Sequence, residues 1–259
     1  MSFDDPDLIA CAELVQRGDP DRFRVAMAAP VAARAVLFPV YAANVEISRA
    51  PWMTQEPLIA EMRLQWWKDA FEEIALGGIV RRHFVVTPLA RLLDSEGASL
   101  MTDLAAARTW DIHRDPFEDA EAFERYITHS AANLMLASAR ALGTVDAAVV
   151  GDLGYAAGLA NFLAAVPALE AAKRIPLVDG RPEAVAALAQ DGLARLKRAR
   201  ANRDGVSASA RPALLTAWKT EGILRRAAAQ PHRVAAGALQ GSEFAANAGL
   251  LLRTLSGRW

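Results

Sequence analysis

Apolar residues recur along this chain at steps of three and four, the spacing that puts side chains on one face of an α-helix. Ile59, Met62, Trp66, Ala70 and Ile74 form one such stripe, which Gly77-Gly78 ends. Phe123, Ile127, Ser130, Leu134, Ala137 and Ala141 form a second, weakly polar one, and Gly143 follows as a C-cap. Ahead of it, Asp115-Pro116-Phe117-Glu118 offers an N-cap acid, proline at N1 and glutamate at N3, with Asp119 as the alternative cap. Further helices are expected near 6–16, 31–50, 88–96, 100–112, 146–171, 182–203, 207–229 and 240–256. No segment alternates long enough for a strand; Phe84-Val85-Val86-Thr87 comes nearest, and Pro88 ends it. The breaks are short, with no repeat and no linker, so residues 1–259 read as a single all-α helical bundle.

Composition agrees with the periodicity. Of 259 residues 56 are alanine, the best helix former and a poor strand former. Hydrophobic residues at 53% supply ample core, and 29 Lys+Arg against 30 Asp+Glu leave no basic footprint for nucleic acid. A lone Cys11 excludes an internal disulfide and a cysteine-rich zinc site, and suits a reducing, cytoplasmic setting. The N-terminus, MSFDDPDLIACAELV, is acidic where a targeting peptide is basic. The longest uncharged stretch, Leu153 to Leu169, carries Gly154, Gly158, Asn161 and Pro167 and falls short of the roughly 20 apolar residues of a membrane span. Peripheral contact at the inner face of a membrane stays open.

Candidate chemistry is sparse. His83, His113, His129 and His232 lack metal-ligand spacing, and neither a glycine-rich phosphate loop nor a GxSxG elbow occurs. Asp111 and Asp115 share a face if both are helical, which would suit Mg²⁺, but Pro116 makes Asp115 more simply a helix cap. Asp69, Glu72 and Glu73 read as the solvated face of an amphipathic helix. The run Arg195-Leu196-Lys197-Arg198-Ala199-Arg200, with Arg203, sits where cations complement the end of a helix dipole; a patch for anionic lipid or an acidic partner is the other reading.

Three segments, in order, resemble the squalene/phytoene synthase family. They are PVAARAVLFPVYAANVEISR (30–49), then Trp66-Trp67-Lys68 with RTWDIHRDPFEDAEAFERYITHSAANLMLASARALG (108–143), and GLANFLAAVPALEAAKRIPL (158–177). The resemblance implies the all-α isoprenoid synthase fold, a bundle around a central apolar cavity. Its catalytic members condense two prenyl diphosphates on Mg²⁺ ions held by two Asp-rich motifs.

Those motifs are missing here. In register with Tyr41-Ala42, the first would begin at Ser48-Arg49, and no aspartate occurs between Asp21 and Asp69. In register with Asn161, the second would place aspartates at 165 and 169, which are Ala165 and Leu169, and the arginine before them is Ala164. YAANVEISR and MRLQWWKDAF resemble a degenerate branch of the family that includes an assembly factor for mitochondrial respiratory complex I. The expectation is a non-catalytic protein with no metal site and no cofactor, binding an apolar small molecule, lipid or quinone-like ligand, or a respiratory-complex subunit. Phe38, Tyr41, Leu159, Phe162 and Ala165 are expected to line the cavity, with Asn44, Glu46, Arg49 and Arg174 at its polar mouth. Two rivals remain: an active prenyl transferase with relocated Mg²⁺ ligands, and a helical interaction partner with no pocket function.

Overall fold

Aspartates start many of the helices. Asp5, Asp19, Asp94, Asp119 and Asp146 each accept a hydrogen bond from a backbone N–H two or three residues on, at 2.7–3.0 Å, and so satisfy donors that a helix N-terminus leaves open. Proline follows Asp5 and Asp19 at the first helical position.

The computed structural model describes residues 5–259. Its first half runs α1 (Pro6–Gly18), α2 (Pro20–Ala28), α3 (Val31–Arg49), α4 (Pro57–Ala75), α5 (Val86–Leu89), α6 (Ser95–Ala107), α7 (Ala120–Ile127) and α8 (Asn133–Leu142). Then come α9 (Ala147–Ala171), α10 (Pro182–Ala201), α11 (Arg211–Leu214), α12 (Thr220–Ala229), α13 (His232–Ala235) and α14 (Glu243–Ser256). The only β pairing among the described residues is an isolated antiparallel bridge between Val145 and Val206.

Helix α9 is apolar all round, which suits a helix surrounded by protein rather than one lying on a surface. It packs on α8, α10 and α12, while α3 packs on α1, α2 and α8, and α4 pairs with α6. The segments Val31–Trp52 and Ala147–Ala171 are long and apolar enough to cross a bilayer, and most of each is buried inside the bundle.

Several elements differ from the sequence expectation, each for a local reason. Helix α2 was not foreseen: it is short, and Asp21, Arg22 and Arg24 interrupt its apolar face. Instead of a helix over 88–96, α5 stops at Leu89 and α6 begins behind Asp94, whose carboxylate accepts from Gly97 N–H at 2.7 Å. Asp115 caps nothing; Asp119 is the cap of α7. The stripe from Phe123 to Ala141 is one helical run with a π-turn, Thr128–Ala132, in its middle, and Gly143 is its C-cap. The expected helix over 207–229 is broken into α11, a 3₁₀ turn (Leu215–Ala217) and α12. Its beginning is drawn away by the extended pairing of Val206 with Val145.

Candidate functional site

A cleft of about 340 Å³ opens between α3 and α9, closed on its other sides by the α1–α2 corner, the 3₁₀ turn Arg108–Asp111 and the π-turn. The close approach of α9 to the π-turn depends on two glycines. A Cβ at Gly154 would stand 2.6 Å from Ala132 Cα, and one at Gly158 would stand 2.4 Å from Ala131 Cβ. The wider π-turn brings Ser130 and Ala131 to the cleft wall, with Ile127 just before it.

Two arginine–aspartate pairs dominate the polar wall. Asp19, while capping α2, also accepts from Arg22 Nη1 at 2.5 Å, and the Arg22 guanidinium lies 5.8 Å from the Tyr41 ring centre. Deeper in, Arg108 Nη1 donates to Asp111 Oδ2 at 3.0 Å and to Tyr126 Oη at 2.9 Å, while the Tyr126 hydroxyl donates to Asp111 Oδ1 at 2.9 Å. Burial pushes the Tyr126 pKa up, so the hydroxyl remains a donor to this closed triangle. Arg174 supports it from behind: Nη2 donates to the Asp111 carbonyl at 2.5 Å, and its guanidinium lies 5.3 Å from the Trp52 ring centre. Burial holds the Arg174 pKa below the ordinary arginine value. The apolar wall is built on Phe162, which meets Tyr126 and Phe123 at centroid distances of 5.8 and 5.2 Å.

The residues expected to form the site divide. Asn44, Arg49, Phe162 and Ala165 line the cleft together. Tyr41 lies beneath it, its hydroxyl buried without a hydrogen-bond partner on a void of about 20 Å³. Phe38 is core, 5.8 Å from the Phe23 ring, and Leu159 is turned toward Gly192 of α10. Glu46 does not line the cleft and acts electrostatically on His83. Arg174 lies outside the cleft, behind Asp111. Sequence reasoning missed Asp19, Arg22, Arg108 and Tyr126. Asp19-Pro20 was the available signal for the first two, as an N-cap and N1 pair. Asp111 and Asp115 do not share a helical face: Asp111 ends a 3₁₀ turn and is buried, whereas Asp115 is exposed in an irregular segment.

The cleft is therefore more polar than the expected apolar cavity with a polar mouth. Ala165 and Leu169 make one side apolar, but Arg22, Arg49 and Arg108 reach it from other elements. Both of its carboxylates, Asp19 and Asp111, are engaged by arginine, and Arg49 has no ion-pair partner among the described residues. A divalent cation needs free oxygen donors, and this donor set does not fit Mg²⁺. Elsewhere, no group of three His, Cys, Asp or Glu suited to a metal occurs among the described residues. The basic run after residue 195 is largely spent on partners: Arg195 on Glu124 and Asp191, Arg198 on Asp152, Arg200 on Glu221.

Comparison with known proteins places this architecture. Residues 15–178 match the family model for squalene/phytoene synthase. A curated relative, the "NADH dehydrogenase (ubiquinone) complex I, assembly factor 6 homolog" of Drosophila melanogaster, is 27% identical over 166 residues, which are 61% of this chain and 50% of the relative. The chain thus spans about half the length of that protein. Among solved structures, a dehydrosqualene synthase with bound ligand superposes with a TM-score of 0.74 at 16% identity, over 96% of this chain and 95% of the other. Squalene synthase HpnC from Alicyclobacillus acidocaldarius gives 0.72 at 16% identity, over 87% and 94%. At such identities the likeness is one of fold, and the fold is the all-α isoprenoid synthase bundle. By the match over most of its length, the chain belongs to the squalene/phytoene synthase family.

Proposed function

We propose that this protein is a non-catalytic member of its family that holds a lipid or isoprenoid ligand in the α3–α9 cleft and serves as an assembly factor for respiratory complexes. The observation that carries the reading is the pair of facing walls: Ser48 and Arg49 on α3 look across the cleft to Ala165 and Leu169 on α9. These are the positions where the family resemblance expects the acidic motifs. Ionising a prenyl diphosphate separates a carbocation from pyrophosphate, and metal-bound diphosphate takes up much of that charge. Serine, arginine, alanine and leucine supply no carboxylate for it. The size of the cleft argues the same way, because about 340 Å³ suits one small ligand and head-to-head condensation must hold two prenyl chains. The ligand's apolar body would lie on Phe162, Ala165 and Leu169, with a polar head at Ser48, Arg49 and Asn161.

The assembly role draws on the Drosophila relative, and with it we propose a cytoplasmic protein at the inner face of the membrane. One observation favours the rival enzyme: Asp19 and Asp111 do face the cleft. To bind Mg²⁺ each would have to leave its arginine. Thermal-shift titration separates the two readings. A short-chain quinone or a single farnesol-sized prenol should raise the melting temperature whether or not Mg²⁺ is present. Stabilisation only by prenyl diphosphate, and only with Mg²⁺, would overturn the proposal. Deleting the gene should lower assembled respiratory complex I, and an unchanged level would overturn the assembly role.

A further inference from the structure

Helix α14 is apolar on two sides. Leu250 is buried against the bundle, with Ala246 packed beside it. Phe244, Leu251, Leu252 and Leu255 stand at i, i+7, i+8 and i+11, which places them together on the other side of the helix. There they are 84, 60, 67 and 76% exposed. Four large apolar side chains left together in water are the mark of a surface that something covers.

A groove of about 470 Å³ runs along the flank of the same helix, lined by Arg200, Arg203, Arg253 and Arg258 with Leu252 and Trp259, and no Asp or Glu side chain lines it. Arg200 is paired with Glu221 at 2.6 Å. Among the described residues Arg203, Arg253 and Arg258 form no ion pair. Burial, and then the charge of Arg200, draws the Arg253 pKa below its ordinary value, and the nearby Glu221 carboxylate offsets this only in part. Leu252 belongs to both the groove and the exposed stripe, so the two surfaces are continuous.

We propose that α14 docks on an anionic bilayer surface, its exposed stripe entering the acyl boundary while the arginine groove takes lipid phosphates. An apolar face flanked by cations is the pattern of a helix lying in a membrane interface. A second copy of this chain fits less well, because a two-fold contact would bring arginine groove toward arginine groove. The inference is independent of the reading of the cleft, since no residue of the groove or the stripe lines it.

Vesicle co-sedimentation tests it on the full chain, with phosphatidylcholine alone and with added phosphatidylglycerol. The protein should bind the anionic vesicles and release as salt rises. Two double variants, L251E/L255E and R203E/R258E, should each lower partitioning about tenfold or more. All four positions are exposed, so the helical circular dichroism and melting temperature should hold. Three results would overturn the proposal: no binding by the unaltered protein, binding that both variants leave unchanged, or a stripe-dependent dimer or protein complex in place of vesicle binding.

Discussion

Replacing Arg108 with methionine removes the positive partner of a carboxylate that water hardly reaches. Asp111 is 3% exposed, and Arg108 Nη1 is the donor to both its Oδ2 and the Tyr126 hydroxyl. Stripping one member from a buried ion pair costs about 3–5 kcal/mol, because the other charge is left without a partner. The lower end, about 3 kcal/mol, is expected here: Tyr126 still donates to Asp111 Oδ1, and the site borders an open cleft. In a chain of this size that is a fall in melting temperature of roughly 6–12 °C. Urea unfolding gives the free energy directly, and a double-mutant cycle gives its origin. In R108M/D111N the buried charge is gone and the amide can still accept from Tyr126. More than half of the loss should therefore return, leaving the double variant only about 1 kcal/mol below the parent protein. A double variant as unstable as R108M would show that no stranded charge was responsible, and would refute the triangle as the organising feature of this wall.

Three further outcomes follow from the packing and the titrating groups. Gly154→Ala gains up to about 1 kcal/mol of helix propensity, yet its Cβ meets the Ala132 backbone, so overpacking of about 1–3 kcal/mol should win and the variant should melt lower. Asp94→Ala should cost about 1 kcal/mol in unfolding experiments at neutral pH. The Gly97 N–H, and after it Arg140, hold the Asp94 pKa below the usual carboxylate value, so the cap's contribution is present above the unfolded pKa and disappears as pH falls through the folded one. Burial pushes the Cys11 thiol up to about 12, so it should not react with a thiol reagent at pH 8 until the chain unfolds. Its contribution to stability is whole below the unfolded thiol pKa and is lost as pH rises toward the folded value, by at most about 1.4 kcal/mol per unit.

The helices that build the cleft were legible for different reasons than the cleft itself. Helix α3 follows Pro30, and α9 begins behind Asp146 and is apolar throughout; such signals survive without knowledge of any neighbour. The positions where the family resemblance expects acidic residues were set by the sequence too, since Ala165 and Leu169 follow Asn161 one and two turns along the same helix. What periodicity does not carry is direction. A helix apolar all round has no stripe to say which face meets a cavity, so Leu159 was expected in the site and lies against α10. Arg22 and Arg108 entered from short elements, α2 and the turn Arg108–Asp111, that the periodicity does not mark. Asp111 read only as one half of a metal pair whose other half, Asp115, was more simply a cap; its role appears only once the turn Arg108–Asp111 brings it to Tyr126 of the next helix. Likewise the run from Arg195 read as cations at a helix end, with an anion-binding patch as the other reading, whereas folding pairs most of it with acidic side chains and leaves Arg203 beside Arg253 and Arg258.

The central claim is that this fold persists here without the family's metal-dependent chemistry, and a turnover assay tests it most directly. Purified protein is incubated with farnesyl or geranylgeranyl diphosphate and Mg²⁺, and the extract is analysed for condensed hydrocarbon and released pyrophosphate. The account predicts neither product above a no-protein blank. Formation of squalene, dehydrosqualene or phytoene at ordinary enzyme rates, roughly 0.1–10 per second, would contradict it.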